Sequence, residues 1–280
     1  MSPSASLDTG LAPGWRPLQR WRRSALRAAV AAIAALAAGP GPLALAPLAS
    51  GEGPWTSVAA AYDRIAGNFG KARRFPWPFV TDWLASGSDN ERLLVAGCGD
   101  GRHVDAALQL ERFRSICALD ISRGMLEAAR RRLGTDRAAD ASFLLGDLCG
   151  LPLPNGSCDA ALACAVLHHL PGERSRLALA ELARVLVPGG RLLASCWDPG
   201  ARAVAKRGRP APGPETAAYW VAWRCENGED VDRWYHLPSL HQRYALWRRL
   251  PGLRLRRAEL MGDNQIFEWS REGPMAQSAL

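Results

Sequence analysis

Three glycines at alternate positions follow directly after an apolar run, and this feature constrains the fold of the chain most. The run at residues 93–96 stops at Gly97, and the last of the three glycines is Gly101. A second apolar run, residues 115–119, leads into Asp120. This order predicts a strand, a tight turn, a helix and a second strand that ends in a carboxylate. Such a unit binds a nucleoside-containing cofactor, so it favours an enzyme over a structural protein.

An alternation of apolar runs and amphipathic stretches continues over residues 91–197 and predicts the core of the fold. Ser122 is a suitable N-cap for one of the helices, and residues 188–190 are a suitable stop for another. Strands are predicted at residues 93–96, 115–119, 142–145, 160–164 and 191–196, and helices at residues 102–111, 122–133 and 173–187. Strands that alternate with helices form a parallel sheet covered on both faces. We therefore expect an α/β protein with a Rossmann-like doubly wound sheet.

The segments on either side of this core break the alternation. Residues 52–90 are predicted to form helices, whereas residues 198–232 are rich in glycine, proline and basic side chains and are interpreted as a mobile basic insertion. The C-terminal part, residues 233–270, predicts a helix at 239–249 and strands at about 253–260 and 265–270. Because these two strands form an antiparallel hairpin, the expected sheet has seven strands, most of them parallel.

The first 51 residues differ in composition from the rest of the chain. Residues 9–51 contain no acid, but they contain several arginines and two alanine- and leucine-rich pieces. Each apolar piece is shorter than the roughly 20 residues of a membrane helix, so we expect no membrane partner. We separate residues 1–51 from the domain of residues 52–280 as a leader. It is compatible with a disordered tail, an organellar targeting peptide or a wrongly assigned start codon.

Charge and cysteine content limit the class of protein further. The net charge is +8, and all but two of the 35 basic residues are arginines. Arginine suits phosphate recognition, although the abundance of alanine, glycine and proline points to a compositional bias as the main cause. The seven cysteines form no C-x-x-C pair, and several lie in apolar runs. They favour a reducing compartment, hence a cytoplasmic protein (or an organellar one if the leader is a targeting peptide), and predict no metal site formed by this chain alone.

The spacing of the glycines distinguishes between two cofactors. Dinucleotide sites prefer G-x-G-x-x-G, whereas this chain has G-x-G-x-G followed by Arg102, which favours S-adenosylmethionine (SAM). Asp120 is placed to accept hydrogen bonds from both ribose hydroxyls, and Asp147 follows the third predicted strand, where an acid accepts from the adenine amino group. The predicted cofactor-binding residues are Gly97, Cys98, Gly99, Gly101, Asp120, Ile121, Asp147, Leu148 and Cys164.

On these residues the core resembles the class I SAM-dependent methyltransferases. It departs from their pattern at Val95, where the family usually has an acid that helps to hold the methionine end of the cofactor.

Short motifs around the core indicate which substrate receives the methyl group. In chain order they are an aromatic-rich stretch from Tyr62 to Phe69 followed by Arg73, then Pro-Trp-Pro at 76–78, His168-His169, Cys196-Trp197, Arg233-Trp234-Tyr235-His236 and Asp263-Asn264. Together they resemble the tRNA wobble-uridine carboxymethyl methyltransferases, a family that includes the methyltransferase half of the AlkB-homologue tRNA enzyme. The resemblance implies that SAM esterifies a 5-carboxymethyl group on the wobble uridine of tRNA. It also implies a small zinc-binding activator subunit that pairs with an edge strand.

A carboxylate acceptor is already ionised at neutral pH, so the implied reaction needs no strong general base. It needs groups that orient the carboxylate toward the sulfonium methyl and exclude water. The predicted substrate-orienting residues are Arg73, His168, His169, Arg233, Tyr235, His236, Asp263 and Asn264. Trp77 and Trp234 could stack on an extruded base or could pack in the core. Basic groups outside the site, such as the cluster at 202–209, are candidates for the tRNA backbone.

Two other functions fit the core motifs. The first is a methyltransferase that acts on a small quinone or carboxylic acid. The second is a non-catalytic protein that binds SAM or a partner. The valine at position 95, where the family usually has an acid, is compatible with this second function.

Overall fold

A computed structural model describes residues 53–72 and 75–273, and its central element is a seven-stranded sheet. The strands in chain order are β1 (Arg92–Ala96), β2 (Ser115–Asp120), β3 (Ala141–Leu145), β4 (Cys158–Cys164), β5 (Leu186–Trp197), β6 (Gly208–Pro210), β7 (Ala218–Arg224), β8 (Asp230–His236), β9 (Leu253–Met261) and β10 (Asn264–Arg271). The order across the large sheet is β3-β2-β1-β4-β5-β10-β9. Strands β1 to β5 pair in parallel, and β10 is antiparallel to both β5 and β9. This confirms the predicted Rossmann-like sheet with an antiparallel hairpin.

The helices lie on both faces of this sheet. They are α1 (Val58–Phe69), α2 (Pro78–Ala85), α3 (Arg102–Gln109), α4 (Arg123–Ala138), α5 (Gly172–Val185), α6 (Arg202–Arg207) and α7 (Leu240–Trp247), with 3₁₀ turns at Pro54–Ser57, Gly70–Ala72 and Leu167–His169. Within residues 53–72 and 75–273, every helix is too short or too polar to cross a bilayer.

Alternation along the strands divides the core into two layers. Leu94 of β1 belongs to the layer beneath α5 and α7, which contains Leu179 and Trp247. Leu93, the neighbouring residue, belongs to the layer beneath α2 and α3, together with Val104. The predicted N-cap of α4 is present, because the Ser122 hydroxyl accepts a hydrogen bond from the backbone N–H of Met125 at 3.0 Å.

The structure corrects the interpretation of residues 198–232. This stretch is not a simple insertion without regular structure, because it contains α6, β6 and β7 and the start of β8. Strands β6, β7 and β8 form a separate antiparallel sheet. The strands were not predicted because the segment is rich in turn residues and has no continuous apolar run. They are stabilised by pairing with each other. The predicted third core helix was also two residues too long, since α5 ends at Val185 and β5 begins at the next residue.

The small sheet and α1 meet next to the glycine turn. Ile65 and Phe69 of α1 pack with Met125 of α4 and Val231 of β8. Residues alternate between the two faces of a strand, so Arg233 and Tyr235 share the face of β8 that carries Val231. In this way α1 and β8 place their side chains near the carboxyl ends of β1, β2 and β4.

Candidate active site

The glycine turn adopts a conformation that strongly favours glycine. Gly97, Gly99 and Gly101 have φ values of +67°, +56° and +82°, which L-residues with a side chain rarely adopt. A Cβ atom at Gly97 would lie 2.4 Å from Cγ2 of Val166, because the loop after β4 passes directly beside the turn. The backbone therefore turns sharply at the end of β1 and leaves open space above it.

That space is a cavity of about 390 Å³ at the carboxyl edge of the sheet. Its volume lies in the usual range for sites that bind small molecules and cofactors. Eight of the nine predicted cofactor residues line the cavity: Gly97, Cys98, Gly99, Asp120, Ile121, Asp147, Leu148 and Cys164. Gly101 does not line it. Gly101 precedes the first residue of α3, and a Cβ there would lie 2.8 Å from Cβ of Ala129, so its role is close packing against α4.

Asp120 lies at the end of β2 with both carboxylate oxygens held by backbone donors. Oδ2 accepts from the N–H of Gly99 at 2.8 Å, and Oδ1 accepts from the N–H of Ser122 at 2.9 Å. Burial raises the pKa of Asp120 to about 6, although these two hydrogen bonds oppose the shift. Each oxygen retains a lone pair for a ligand hydroxyl, so the arrangement fits the predicted contact with a ribose.

Asp147 occupies the corresponding position after β3. One oxygen accepts from the N–H of Cys149 at 2.9 Å, and the other pairs with Arg174 at 3.1 Å. Both Asp147 and Arg174 line the cavity, and the buried side chain of Leu148 forms an apolar wall beside them. An acid beside an apolar surface suits an adenine ring.

Arg102 also lines the cavity, whereas Val95 and Trp77 are not among its lining residues. Val95 is 1% exposed and packs in the apolar layer beneath α2 and α3. Arg102 lines the cavity, and its guanidinium lies 4.1 Å from the centre of the Trp77 ring. Phe79 stacks with the same ring at 5.6 Å. Because Trp77 contacts Arg102 and Phe79 with its ring, it packs within the protein and is not placed to stack on a base.

The cavity also contains the thiols of Cys98 and Cys164. Burial raises the pKa of Cys164 to about 12 and that of Cys98 well above its usual range. Both thiols stay protonated at neutral pH, so neither acts as a nucleophile.

His169 connects the cavity to the small sheet. Its Nδ1 lies 2.7 Å from the backbone oxygen of Trp234, and its Nε2 lies 2.8 Å from the hydroxyl of Tyr62. A carbonyl oxygen can only accept, so Nδ1 carries the proton in the neutral ring and Nε2 accepts from Tyr62. Tyr62 and His169 both line the cavity.

His168, next in the chain, has a different environment. Its Nδ1 accepts from the backbone N–H of Trp197 at 2.9 Å, and the side chain is 1% exposed. It does not line the cavity. The structure therefore places His169, and not His168, where an acceptor could reach it.

Arg233 and Tyr235 form a buried cluster behind His169. The ring of Tyr235 lies 4.4 Å from that of His169 and stacks on Trp197 at 5.0 Å. The guanidinium of Arg233 lies 5.3 Å from the centre of the Tyr235 ring and 5.2 Å from that of Trp223. These aromatic rings surround the charge without neutralising it.

The other predicted substrate residues lie further from the cavity or outside the described residues. His236 is buried, and burial together with the charge of Arg243 lowers its pKa to about 4, so the ring is neutral. Asp263 forms an ion pair with Arg202 at 3.1 Å in the turn before β10. Asn264 is the first residue of β10 and lies opposite Trp197. Arg73 falls outside the residues that the structure describes.

Sequence reasoning did not assign a role to several residues of the site. The sequence places Tyr62 and Asp63 in a motif but predicts no contact for either, and it gives no signal for Arg174. Asp63 accepts from the hydroxyl of Ser122 at 2.6 Å and from the N–H of Gly124 at 2.8 Å, which ties α1 to the loop after β2. A paired Tyr-Asp on a helix that precedes the glycine turn was the available signal.

The chain matches known methyltransferases in sequence. Residues 94–194 match a family model described as a methyltransferase domain. A putative methyltransferase of Encephalitozoon cuniculi (strain GB-M1) is 31% identical over 178 residues, which cover 63% of this chain and 77% of that protein. The chain belongs to the SAM-dependent methyltransferases. S-adenosylmethionine is its cofactor, as the glycine spacing predicted.

Two further relatives are named for their acceptors. The tRNA (carboxymethyluridine(34)-5-O)-methyltransferase ALKBH8 of Macaca fascicularis is 31% identical over 141 residues, 50% of this chain and 20% of that protein. The malonyl-[acyl-carrier protein] O-methyltransferase of Serratia marcescens is 37% identical over 144 residues, 50% of this chain and 52% of that protein. The methyltransferase chain thus spans a fifth of the first relative and about half of the second.

Solved structures show the same fold at low identity. One is a complex between the Haloferax volcanii Trm112 methyltransferase activator and a putative methyltransferase, with a TM-score of 0.59 at 17% identity over 79% of this chain and 100% of that chain. Another is a DhpI–SAH complex, with a TM-score of 0.59 at 16% identity over 79% of this chain and 98% of that chain.

Proposed function

We propose that this methyltransferase esterifies the carboxylate of 5-carboxymethyluridine at the wobble position of tRNA. The observation that carries the proposal is the buried guanidinium of Arg233. It is 2% exposed, and its Nε and Nη1 atoms donate no hydrogen bond within the described residues. Burial opposes the charge, but the oxygens of Tyr235 and Tyr62 raise the pKa of Arg233, so it stays cationic.

A buried guanidinium without a carboxylate partner costs several kcal/mol. A ligand carboxylate would offset this cost, because it accepts two parallel N–H bonds from the planar fork of an arginine. A neutral hydroxyl acceptor would leave the charge uncompensated. The electrostatics of Arg233 therefore favour an anionic acceptor group.

The ring of His169 supports the same conclusion. Both of its nitrogens are engaged, Nδ1 with the carbonyl of Trp234 and Nε2 with the hydroxyl of Tyr62. An alcohol or phenol acceptor would need a base within reach to remove its proton. A carboxylate needs none, because it is ionised well below neutral pH.

The size of the acceptor is proposed from the relatives and from surface charge. ALKBH8 is named for carboxymethyluridine 34 of tRNA, and the short motifs around the core resemble those of that family. Of the exposed basic residues in the described part of the chain that form no ion pair, we assign five to the phosphates: Lys206, Arg207, Arg248, Arg249 and Arg254. Arg202 and Arg209 of the predicted basic cluster are instead paired with Asp263 and Asp232.

A small zinc-binding activator subunit is the second partner that we propose. Strand β3 forms one edge of the large sheet, and Leu145 at its end is 53% exposed. Ile121, which follows the neighbouring strand β2, is 43% exposed. An unpaired edge next to exposed apolar side chains is suited to strand addition by a partner. The putative methyltransferase in the Haloferax volcanii complex is bound to the Trm112 methyltransferase activator.

The proposal is tested by methyl transfer from labelled SAM with the whole chain, with and without an added Trm112-type activator. The acceptors are a tRNA that carries 5-carboxymethyluridine, the same tRNA with uridine, and malonyl-acyl carrier protein. We expect label only in the modified tRNA. Arg233→Gln should reduce kcat/KM by at least about thirtyfold, since the carboxylate loses a buried charge partner. Its Tm should fall only slightly, because the variant loses the ring contacts of the guanidinium but also removes a buried charge that has no carboxylate partner.

Arg131→Gln is the matched control, because Arg131 is exposed on α4 outside the residues that line the cavity, and it should keep nearly full activity. Transfer to malonyl-acyl carrier protein or to free carboxylic acids, and not to tRNA, would replace this proposal with a small-molecule O-methyltransferase. SAM binding without transfer to any acceptor would replace it with a non-catalytic binding protein.

A further inference from the structure

We infer that Tyr62 is a positioning residue for the acceptor carboxylate, because its hydroxyl covers the lone pair of His169 and directs its own oxygen toward Arg233. The inference rests on the proposed function, since it assigns a role in holding a carboxylate. Tyr62 is separated from His169 by 107 positions in the chain and meets it only in the folded protein.

The first step of the argument is the direction of the hydrogen bonds. The carbonyl of Trp234 requires a proton on Nδ1 of His169, which leaves a lone pair on Nε2. That lone pair points toward Tyr62, which lines the cavity, and without a donor it would repel a carboxylate bound there. The hydroxyl of Tyr62, 2.8 Å away, donates to it and removes the repulsion.

The second step concerns the oxygen of the same hydroxyl. Once its proton is committed to His169, the oxygen has lone pairs only, and these can accept from Arg233. The Tyr62 oxygen is close enough to raise the pKa of the guanidinium. Nε and Nη1 of Arg233 have no partner among the residues that the structure describes, so two donors are left for a ligand. Tyr62 therefore orients the guanidinium without occupying all of its donors.

The third step is the rigidity of the helix that carries Tyr62. Asp63, the next residue, binds Ser122 and Gly124 in the loop after Asp120. The ring of Tyr62 also makes an edge contact with Phe69 at 5.7 Å. The hydroxyl is thus held at a fixed position relative to the ribose side of the cavity.

The charged and titratable groups around His169 set the expected pH behaviour. They are Tyr62 from α1, Arg233 and Tyr235 from β8, and His168 beside it in the chain. None of these groups is a carboxylate. In Tyr62→Phe, the Nε2 lone pair of His169 would face the acceptor, and protonation of the ring would convert it into a donor. Activity of this variant should therefore rise as pH falls through the range in which histidines titrate.

The test compares Tyr62→Phe with wild type and with Tyr244→Phe, whose tyrosine is 41% exposed on α7. The substrates are tRNA with 5-carboxymethyluridine and labelled SAM, from pH 6 to pH 8.5. For Tyr62→Phe we expect KM for tRNA to rise roughly tenfold, as for the loss of one hydrogen bond to a charged group. Its kcat should stay within about threefold, and S-adenosylhomocysteine should bind within about twofold. Its kcat/KM should increase toward pH 6, whereas wild type and Tyr244→Phe should be nearly flat.

An equal loss at every pH, together with weaker S-adenosylhomocysteine binding, would mean that Tyr62 only packs the cavity. An unchanged KM and pH profile would also overturn the inference. If wild type methylates no tRNA, it is the proposed function that fails. In that case ¹⁵N NMR of the histidine rings still decides the geometry, because the inference requires a proton on Nδ1 of His169 and a loss of the Nε2 hydrogen bond in Tyr62→Phe. A proton on Nε2 in wild type would refute it.

Discussion

Replacement of Gly97 by alanine tests the glycine turn at the base of the cofactor site. The residue has a φ of +67°, which costs an L-residue about 1–2 kcal/mol. The new Cβ would also lie 2.4 Å from Cγ2 and 2.7 Å from Cβ of Val166. Overpacking of this kind costs about 1–3 kcal/mol. We therefore expect Gly97→Ala to lose about 2–5 kcal/mol of unfolding free energy, or roughly 5–15 °C in Tm for a domain of this size.

The affinity for cofactor should fall as well, because Gly97 and Val166 both line the cavity. Thermal unfolding gives the stability, and calorimetry with S-adenosylhomocysteine gives the affinity, which we expect to fall at least about tenfold. Val166→Ala in the same chain should recover part of both losses by removing the closest methyl group.

Gly189→Ala is the matched control. Gly189 has a φ of +81°, and a Cβ there would meet no atom within 4 Å. It carries the same backbone cost but lies outside the residues that line the cavity, so only Tm should fall, by a few degrees. If Gly97→Ala bound S-adenosylhomocysteine within twofold of wild type and unfolded at the same temperature as Gly189→Ala, the argument from close approach would be wrong.

Three more predictions follow from the charges of the site and surface. The pKa of Asp120 is raised to about 6, so S-adenosylhomocysteine should bind about tenfold more weakly at pH 5 than at pH 7 by calorimetry, and Asp120→Asn should remove this dependence on pH. Val95→Asp places a carboxylate in an apolar layer, so we expect the variant to have a lower Tm than wild type without ligand. Adding SAM should raise the Tm of the variant more than that of wild type, because the ammonium of SAM would neutralise the new carboxylate. An equal increase in Tm for wild type and variant would contradict this expectation. Lys206→Ala with Arg207→Ala should reduce the slope of log Kd for tRNA against log salt by about 1–2, whereas Arg209→Ala should change it less, because Arg209 is paired with an acid.

The sheet and the cofactor side of the site are predictable because their signals are local in sequence. The apolar runs of β1 and β2 and the glycines between them lie within 29 consecutive residues, from Arg92 to Asp120. Each glycine has a positive φ that residues with a side chain rarely adopt, so the motif reports directly on backbone geometry. This is why eight of the nine predicted cofactor residues line one cavity.

The acceptor side is less predictable because its contacts are distant in sequence. His168 and His169 are chemically identical neighbours, and only the fold turns one to the backbone of Trp197 and the other to Tyr62. The small sheet was missed for a related reason. Strand β7 is stabilised by pairing with β6 and β8, and its Trp220 and Trp223 are partly buried by elements that composition alone does not reveal.

The central claim is that this methyltransferase acts on a carboxymethyl group of wobble uridine. The most direct measurement is mass spectrometry of wobble nucleosides in tRNA from cells that lack the gene. The account predicts accumulation of 5-carboxymethyluridine, loss of its methyl ester, and restoration by the wild-type chain but not by Arg233→Gln. An unchanged amount of the methyl ester in those cells would contradict it.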